Sequence, residues 1–486
     1  MKRRVLTMLI AGLLAGTGCR KAVSDLSGYD YVLRQEADVI HPPSGTPDAW
    51  ITIIGGDYSG DYYVAPDGDD GNPGTAERPF RTIALAVSRL QPGDTLVVRA
   101  GAGRLRPVIA GENNLYCAFD LSGCQYLRIE NLEITSTGEH RFREGFSGTA
   151  APVAHILLRN LKIHHLDEFG IDIGDALDLR IVNCSITYCG FGAIGGPAGQ
   201  AGGWREILID GCDLSYSGHY YQGGDGSRRP YDRPDGFGIE ASAGPIEICR
   251  TTAIHNCGDG LDSKAERTCI HECLVANNAC DGIKLWGDSS RIENCLIYGR
   301  GDGNTTITPW SPLVISTERR DASFEIINCT VDDSLGGNYL LHVQYDQPDL
   351  PVRLKIVNTV FSSRGTNAPA VWLAPAVSPD LHHNLFFSPQ EERILIQGER
   401  TFTRNEVSQL GTGNLYADPQ FVRPAWGTEG NYHLSAGSPA LDAGDSASAP
   451  AVDLDGRSRP QGAGVDIGCY EGERSGIKSS VCIHLY

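Results

Sequence analysis

Arg291-Ile292-Glu293-Asn294-Cys295-Leu296-Ile297 is a pattern that this chain repeats. Short apolar alternations flank an Asn, and a small or thiol residue follows it. Related punctuation stands at Glu130-Asn131-Leu132, Arg159-Asn160-Leu161, Val182-Asn183-Cys184, Asp210-Gly211-Cys212, His271-Glu272-Cys273, Ile327-Asn328-Cys329, Val357-Asn358-Thr359 and His383-Asn384-Leu385, with one more rung around Thr251. The third positions, from Leu132 to Leu385, recur about every 28 residues and never closer than 22. Short strands at that period, with no helix in the repeat, predict an all-β right-handed parallel β-helix. Each Asn is expected at a tight turn, its amide bonded to the Asn of the next rung. The residue after it points inward and stacks on its equivalents.

That reading also explains the 15 cysteines. Export usually implies a disulfide framework, but a ladder of buried thiols needs none, because free Cys packs as a small hydrophobe. Pairing of Cys117 with Cys124 and of Cys469 with Cys482 stays open at this point.

An open β-helix end exposes core and strand edge, so caps are expected. Residues 61–410 are read as the coil, opened by Tyr62-Tyr63-Val64-Ala65-Pro66-Asp67-Gly68. Ile83, Val87 and Leu90 at helical spacing predict an amphipathic capping helix over Phe80 to Leu90. Pro92-Gly93-Asp94 ends it, and Thr95-Leu96-Val97-Val98 starts the first full rung. The acidic loop Asp67 to Asn72 lacks a bidentate Glu and reads as a solvated turn. Residues 411–473 form a closing segment, with Asp455, Arg457 and Asp466 structural, and 474–486 a tail.

The first 19 residues read as an export signal. Lys2-Arg3-Arg4 is the basic region, and Val5 to Ala15 is apolar but short for a bilayer. Gly16-Thr17-Gly18-Cys19 resembles a lipoprotein processing site, which would leave lipid on Cys19; plain cleavage is the alternative. Residues 20–60 are read as an extension or linker. The expected location is the surface of a bacterial cell or its surroundings, with membrane contact only through that lipid, and the expected state is a monomer. The net charge of −19 excludes a nucleic-acid partner, which needs a basic face. It also repels an acidic polymer unless a cation or local basic patch intervenes.

Three Asp-Gly pairs interrupt the repeat: Asp235-Gly236, Asp259-Gly260 and Asp281-Gly282, spaced 24 and 22 residues apart. Strand alternation points Phe237, Ile239, Leu261, Ser263, Ile283 and Leu285 inward. It points Gly238, Glu240, Asp262, Lys264, Lys284 and Trp286 outward, so Asp262 neighbours Lys284 and Glu240 neighbours Lys264. Such pairs are often plain salt bridges on a sheet. Here the carboxylates of Asp235, Asp259, Asp262 and Asp281 outnumber the lysines, and they would repel without a cation. A hard ion such as Ca²⁺ accepts several such oxygens. The preceding insertion, residues 213 to 234, carries Tyr220, Tyr221, Arg228, Arg229, Tyr231 and Arg233. With Lys264 and Trp286 these suit a sugar ring and its carboxylate; the plain alternative is a surface excursion.

Asp-Gly-Phe, then Asp-Gly-x-Asp, then Gly-x-Lys-Leu on successive rungs resembles the calcium-dependent pectate lyases of polysaccharide lyase family 9. The likeness is close over Asp235 to Trp286 and looser over the coil. It implies Ca²⁺ held by Asp235, Asp259 and Asp262, Lys284 as the base, and β-elimination on an acidic polysaccharide, pectate first. Gly258 stands where that family has another ligand Asp, with Asp281 the candidate to stand in, and Glu240 replaces a basic residue. A second resemblance, to alginate and chondroitin lyases of family 6, would make Lys264 the base, but no Arg stands beside Leu285-Trp286-Gly287 as that family requires. Gly-His-Gly and Arg-x-Lys, which a polygalacturonase-like hydrolase needs, are both missing. A non-catalytic glycan-binding or scaffolding β-helix is the alternative of another class.

Overall fold

A computed structural model describes residues 50–472, apart from 102–103, 112–114, 137–141, 224–232, 300–310, 334–338, 365–367 and 426–427. The chain forms two compact units. One runs to Cys269 and takes in Asn278–Gly287; the other comprises Ile270–Asn277 and the residues from Asp288 onward. Both are built as right-handed parallel β-helix, as the period predicts.

In the first unit each turn of the chain adds one strand to each of three parallel sheets. One turn, for example, contributes Ala176–Val182, Ser185–Cys189 and Gly192–Gly196. The third sheet runs Leu115–Asp120, Phe142–Gly148, Phe169–Ile173, Gly192–Gly196, Asp235–Ser242, Leu261–Ala265 and Ile283–Leu285, in chain order. The second unit repeats the scheme, with strands such as Ala322–Ile327, Thr330–Asp333 and Leu341–Val343. Inward Ile, Leu, Val and Phe side chains fill both coils and are buried.

The turn before each inward Cys, Thr or Leu requires a left-handed residue. Asn131, Asn160, Asn183, Asn294, Asn328 and Asn358 all have φ between 49° and 60°. Asn tolerates that region better than most residues because its short amide bonds locally. Asn160 Nδ2 donates to Asn131 Oδ1 at 3.1 Å, and Asn358 Nδ2 to Asn328 Oδ1 at 3.0 Å. The thiols of Cys184, Cys212, Cys273, Cys295 and Cys329 are buried and in no disulfide. Cys117, Cys124 and Cys469 are in no disulfide either, so Cys117 and Cys124 are not bonded to each other; Cys482 lies outside the described residues.

Three expectations need correction. At the rung around 384, His383 takes the left-handed turn, with φ 53°. Asn384, not Leu385, is the inward residue beside Thr359, whose N–H donates to Asn384 Oδ1 at 2.9 Å. His, like Asn, can sit at φ > 0, and the buried amide continues the polar ladder. The capping helix spans only Ile83–Val87. It buries Ile83 and Ala86, with Leu90 beyond it, whereas Val87 is only half-buried. Asp70, in the acidic loop, accepts the N–H groups of Arg81 and Thr82 at 2.9 and 2.8 Å, which starts this helix late. Lastly, Ile51–Gly55, within the stretch read as an extension, is a strand paired with both Thr95–Val98 and Gln125–Glu130. Its burial alternates along the strand, so it belongs to the coil wall.

In the closing segment, buried Arg459 and Glu471 form an ion pair at 2.5 Å. Asp455 bonds His433 at 2.8 Å, and Asp466 accepts the Asp442 N–H at 2.7 Å. These contacts match the structural role expected of Asp455 and Asp466.

Candidate functional site

The three Asp-Gly rungs lie side by side in the third sheet of the first unit. The register pairs Phe237 with Leu261 and Ile283, and Gly238 with Asp262 and Lys284. Phe237, Ile239, Leu261, Ser263, Ile283 and Leu285 are all buried in the coil, as their alternation predicts. Burying them fixes the outward direction of Asp262 and Lys284, because a strand's side chains alternate.

The leading aspartates form a ladder of their own. Asp235 Oδ1 accepts the Asp259 N–H at 2.7 Å, and Asp259 Oδ1 accepts the Asp281 N–H at 2.8 Å. Each carboxylate therefore holds the next rung's turn with one oxygen. Lys284 Nζ stands 3.3 Å from Asp259 Oδ2, 3.6 Å from Asp262 Oδ2 and 3.7 Å from Asp281 Oδ2. Oxygens of Asp235, Asp259 and Asp262 lie within 4.8 Å of one another. Asp281 is outside that triple and faces the amine instead. Asp262 Oδ1 is buried and has no hydrogen-bond partner among the described residues. The donor set is thus all hard oxygen, with one acceptor of Asp262 left unmatched among the described residues, which fits an ion such as Ca²⁺.

Electrostatics match this crowding. Burial pushes Asp235 well above the usual carboxylate range, and Asp259 and Asp262 add to it. Asp262 is pushed up to about 7 by burial, against the pull of Lys284 and with the push of Asp259. Burial alone draws the Lys284 ammonium down, but Asp262, Asp259, Asp281 and Asp235 outweigh it and hold the group above its ordinary value. Without a cation, then, the amine is locked in its charged form.

Two glycines make room for Asp235. A Cβ at Gly238 would lie 2.6 Å from Asp235 Oδ2, and one at Gly258 only 2.3 Å from Asp235 Oδ1. The second contact explains the departure noted above. A ligand side chain at 258 would collide with the carboxylate already there.

The remaining candidates divide. Glu240 and Lys264 pair at 2.6 Å, both partly exposed. The Trp286 ring centroid is 5.5 Å from Lys284 Nζ, and its indole N–H is buried with no partner among the described residues. Arg233 is exposed two residues before Asp235. Tyr221 stacks on Phe191 at 6.1 Å. Arg228, Arg229 and Tyr231 lie outside the described residues, as does Cys19. Sequence reading missed Glu144 and Asp172 on the same sheet, both buried with an unpartnered oxygen. The alternation in Gly170-Ile171-Asp172-Ile173 would have signalled Asp172.

Comparison with known proteins agrees with this architecture. A family model described as "Right handed beta helix region" matches residues 111–300. Uncharacterized protein YwoF of Bacillus subtilis (strain 168) is 52% identical over 44 residues, 9% of this chain and 9% of that protein. Pectate lyase PEL9 of Emericella nidulans is 24% identical over 280 residues, 51% of this chain. The chain thus spans 60% of that lyase's length. Among solved structures, that of XylC in complex with xylose superposes with a TM-score of 0.53 at 11% identity, over 85% of this chain and 98% of the other. That likeness is one of fold.

Proposed function

We propose that this protein acts on polysaccharides, as a lyase that cuts a uronic-acid polymer, pectate first, with Lys284 as base and Ca²⁺ at the aspartate cluster. One observation carries the proposal: a single outward amine within 3.7 Å of three carboxylates, on a face where acid exceeds base. The distant relationship to a pectate lyase supports the same reading, as does the resemblance to family 9.

Asp235, Asp259 and Asp262 would hold the ion, and Asp281 would stay with Lys284. Bound there, Ca²⁺ supplies positive charge that neutralises the substrate carboxylate and acidifies the proton at C5. Charge neutralised at the carboxylates also stops holding the Lys284 proton, so the amine becomes a competent base. Lys284 takes the C5 proton, the C–H electron pair becomes the C4–C5 double bond, and the C4–O bond breaks. The departing oxygen takes its proton from water. Trp286 gives a sugar ring a surface beside the amine, and Lys264, Arg233, Arg228, Arg229 and Tyr231 are candidates to bind the polymer.

Lys284→Ala should lower the rate by on the order of 10²–10⁴-fold, as loss of a positioned base does. Ultraviolet absorbance of the unsaturated product on polygalacturonate, with calcium or with chelator, measures it. No product on any uronic-acid polymer would sink the lyase reading and leave a glycan-binding β-helix. Activity lost in Lys264→Ala but kept in Lys284→Ala would move the base one rung, as the family 6 resemblance has it.

Export with lipid on Cys19 belongs to the same proposal. No helix among the described residues is long and apolar enough to cross a membrane. Labelled palmitate should enter the protein and be lost in Cys19→Ala; incorporation unchanged in that variant rejects the anchor.

A further inference from the structure

The outward column that ends in Asp262 and Lys284 continues across the first unit. Register pairs Ser147 with Asp172, Asp172 with Gly195, Gly195 with Gly238, and Gly238 with Asp262. Between Asp172 and Asp262 the column therefore holds two glycines and no side chain. At ~4.8 Å per rung the two acids stand ~14 Å apart. The bare strip is closely overlain: a Cβ at Gly195 would meet the Phe169 ring at 2.7 Å and Asp172 Oδ1 at 3.1 Å. Phe169 meets Phe191 edge-on at 5.9 Å, and Tyr221 stacks on Phe191. Aromatic faces thus border the strip.

At its far end Glu144 is 2% exposed and Asp172 9%. Glu144 Oε2 and Asp172 Oδ1 have no hydrogen-bond partner among the described residues. The nearby cation, Arg143, is committed to Glu168 at 2.5 Å. Burial with the push of Asp172 raises Glu144 to about 8, and burial with the push of Glu168 raises Asp172 to about 7. A buried polar atom left unmatched costs about 1–3 kcal/mol, so two at one place call for a ligand. These two acids do not appear in any cluster of three ligating groups within 4.8 Å among the described residues, unlike the aspartates at Lys284. A carboxyl that keeps its proton near neutral pH both donates and accepts, which matches the hydroxyls of an uncharged sugar. A uronate carboxylate placed there would add charge to a lining already crowded with the acids Glu144, Asp172 and Glu168.

We infer that Glu144 and Asp172 form a second sugar subsite on the Lys284 face, one that takes a neutral sugar residue through its hydroxyls. The substrate is then a polymer that mixes uronic acid with neutral sugar, rather than a pure polyuronate. This inference rests on the lyase reading for the position of the cut, but binding tests it separately.

The experiment uses full-length Lys284→Ala protein, which holds substrate without cutting it. Isothermal titration calorimetry compares oligomers of pure polyuronate with oligomers that alternate uronic acid and neutral sugar. The alternating oligomer should bind at least about tenfold tighter, the worth of one good hydrogen bond. Adding Glu144→Leu should erase that preference, whereas Glu144→Gln, which keeps a donor and an acceptor, should retain it. Asp172→Asn serves as the second probe if the Leu variant melts early. Equal binding of the two oligomers, binding of neither, or a Glu144→Leu effect that is absent or the same on both, overturns the subsite. Loss of one bound calcium in Glu144→Leu overturns it in favour of a cation site. Preferential binding with no cleavage by the wild-type protein would leave the subsite standing and remove the lyase.

Discussion

Polar side chains stack twice in this protein, with opposite results. In the second unit, Asn358 Nδ2 donates to Asn328 Oδ1 and to the Asp445 carbonyl, while its Oδ1 accepts the Asp445 N–H at 2.7 Å. An amide both donates and accepts, so such a ladder closes on itself and can be buried without charge. In the first unit Asp235 and Asp259 each take the backbone N–H of the next aspartate, Asp259 and Asp281, on one oxygen. Their other oxygens gather round Lys284 or stay open, and charge accumulates. The amide ladder is complete as built, whereas the carboxylate ladder crowds three acids round one amine and leaves an oxygen of Asp262 unmatched among the described residues.

Exchanging the two chemistries breaks the contrast. The largest effect is expected for Asp259→Asn. Its amide oxygen can still accept the Asp281 N–H, so the fold should persist and the metal-free melting temperature should hold or rise. Calcium affinity and lyase activity should fall by at least about tenfold, as removal of one charged ligand from a compact site does. Calorimetric calcium titration with a melting curve checks both, and a variant that binds calcium normally contradicts the assignment.

The reverse exchange, Asn358→Asp, removes two donors and faces a carboxylate toward Asn328 Oδ1 and the Asp445 carbonyl. It should destabilise the protein by about 2–4 kcal/mol, the range for a buried group left unpaired or charged. Urea unfolding measures it; an unchanged midpoint would mean the amide ladder contributes little.

A smaller effect sharpens the comparison through pH. Asp262 in the folded protein titrates near 7, above its usual 3.8. Below about 4 both folded and unfolded chains hold that proton. Between there and about 7 only the folded chain does, so stability falls as pH rises through that window and then levels. In chelator, the wild-type melting temperature should drop relative to Asp262→Asn across that interval, and calcium should remove the difference. Parallel profiles would show that Asp262 carries no such strain.

Much of this was legible along the chain. Period-2 alternation was enough to send Phe237, Leu261 and Ile283 inward and Asp262 and Lys284 outward, because burial of one face dictates the other. The Asn-Cys punctuation located nearly every rung. It slipped at His383-Asn384, where a His took the left-handed turn and the Asn went inside, since both types tolerate the special position. Ile51–Gly55 was missed because its spatial neighbour Gln125–Glu130 lies far along the chain, and local pattern carries no such pairing.

The residues by themselves determined the coil, its inward thiols and the acidic excess on three rungs, since strand period and residue chemistry act locally. Tertiary structure decided what those acids do to one another. Only packing shows that Asp235 fills the space where a side chain at Gly258 would stand, that Asp281 lies by the amine and outside the triple, and that Asp172 shares the outer column of Lys284 with buried Glu144 on the same sheet. Those are matters of distance and desolvation, which arise when residues remote in sequence are brought to one surface and water is removed from between them.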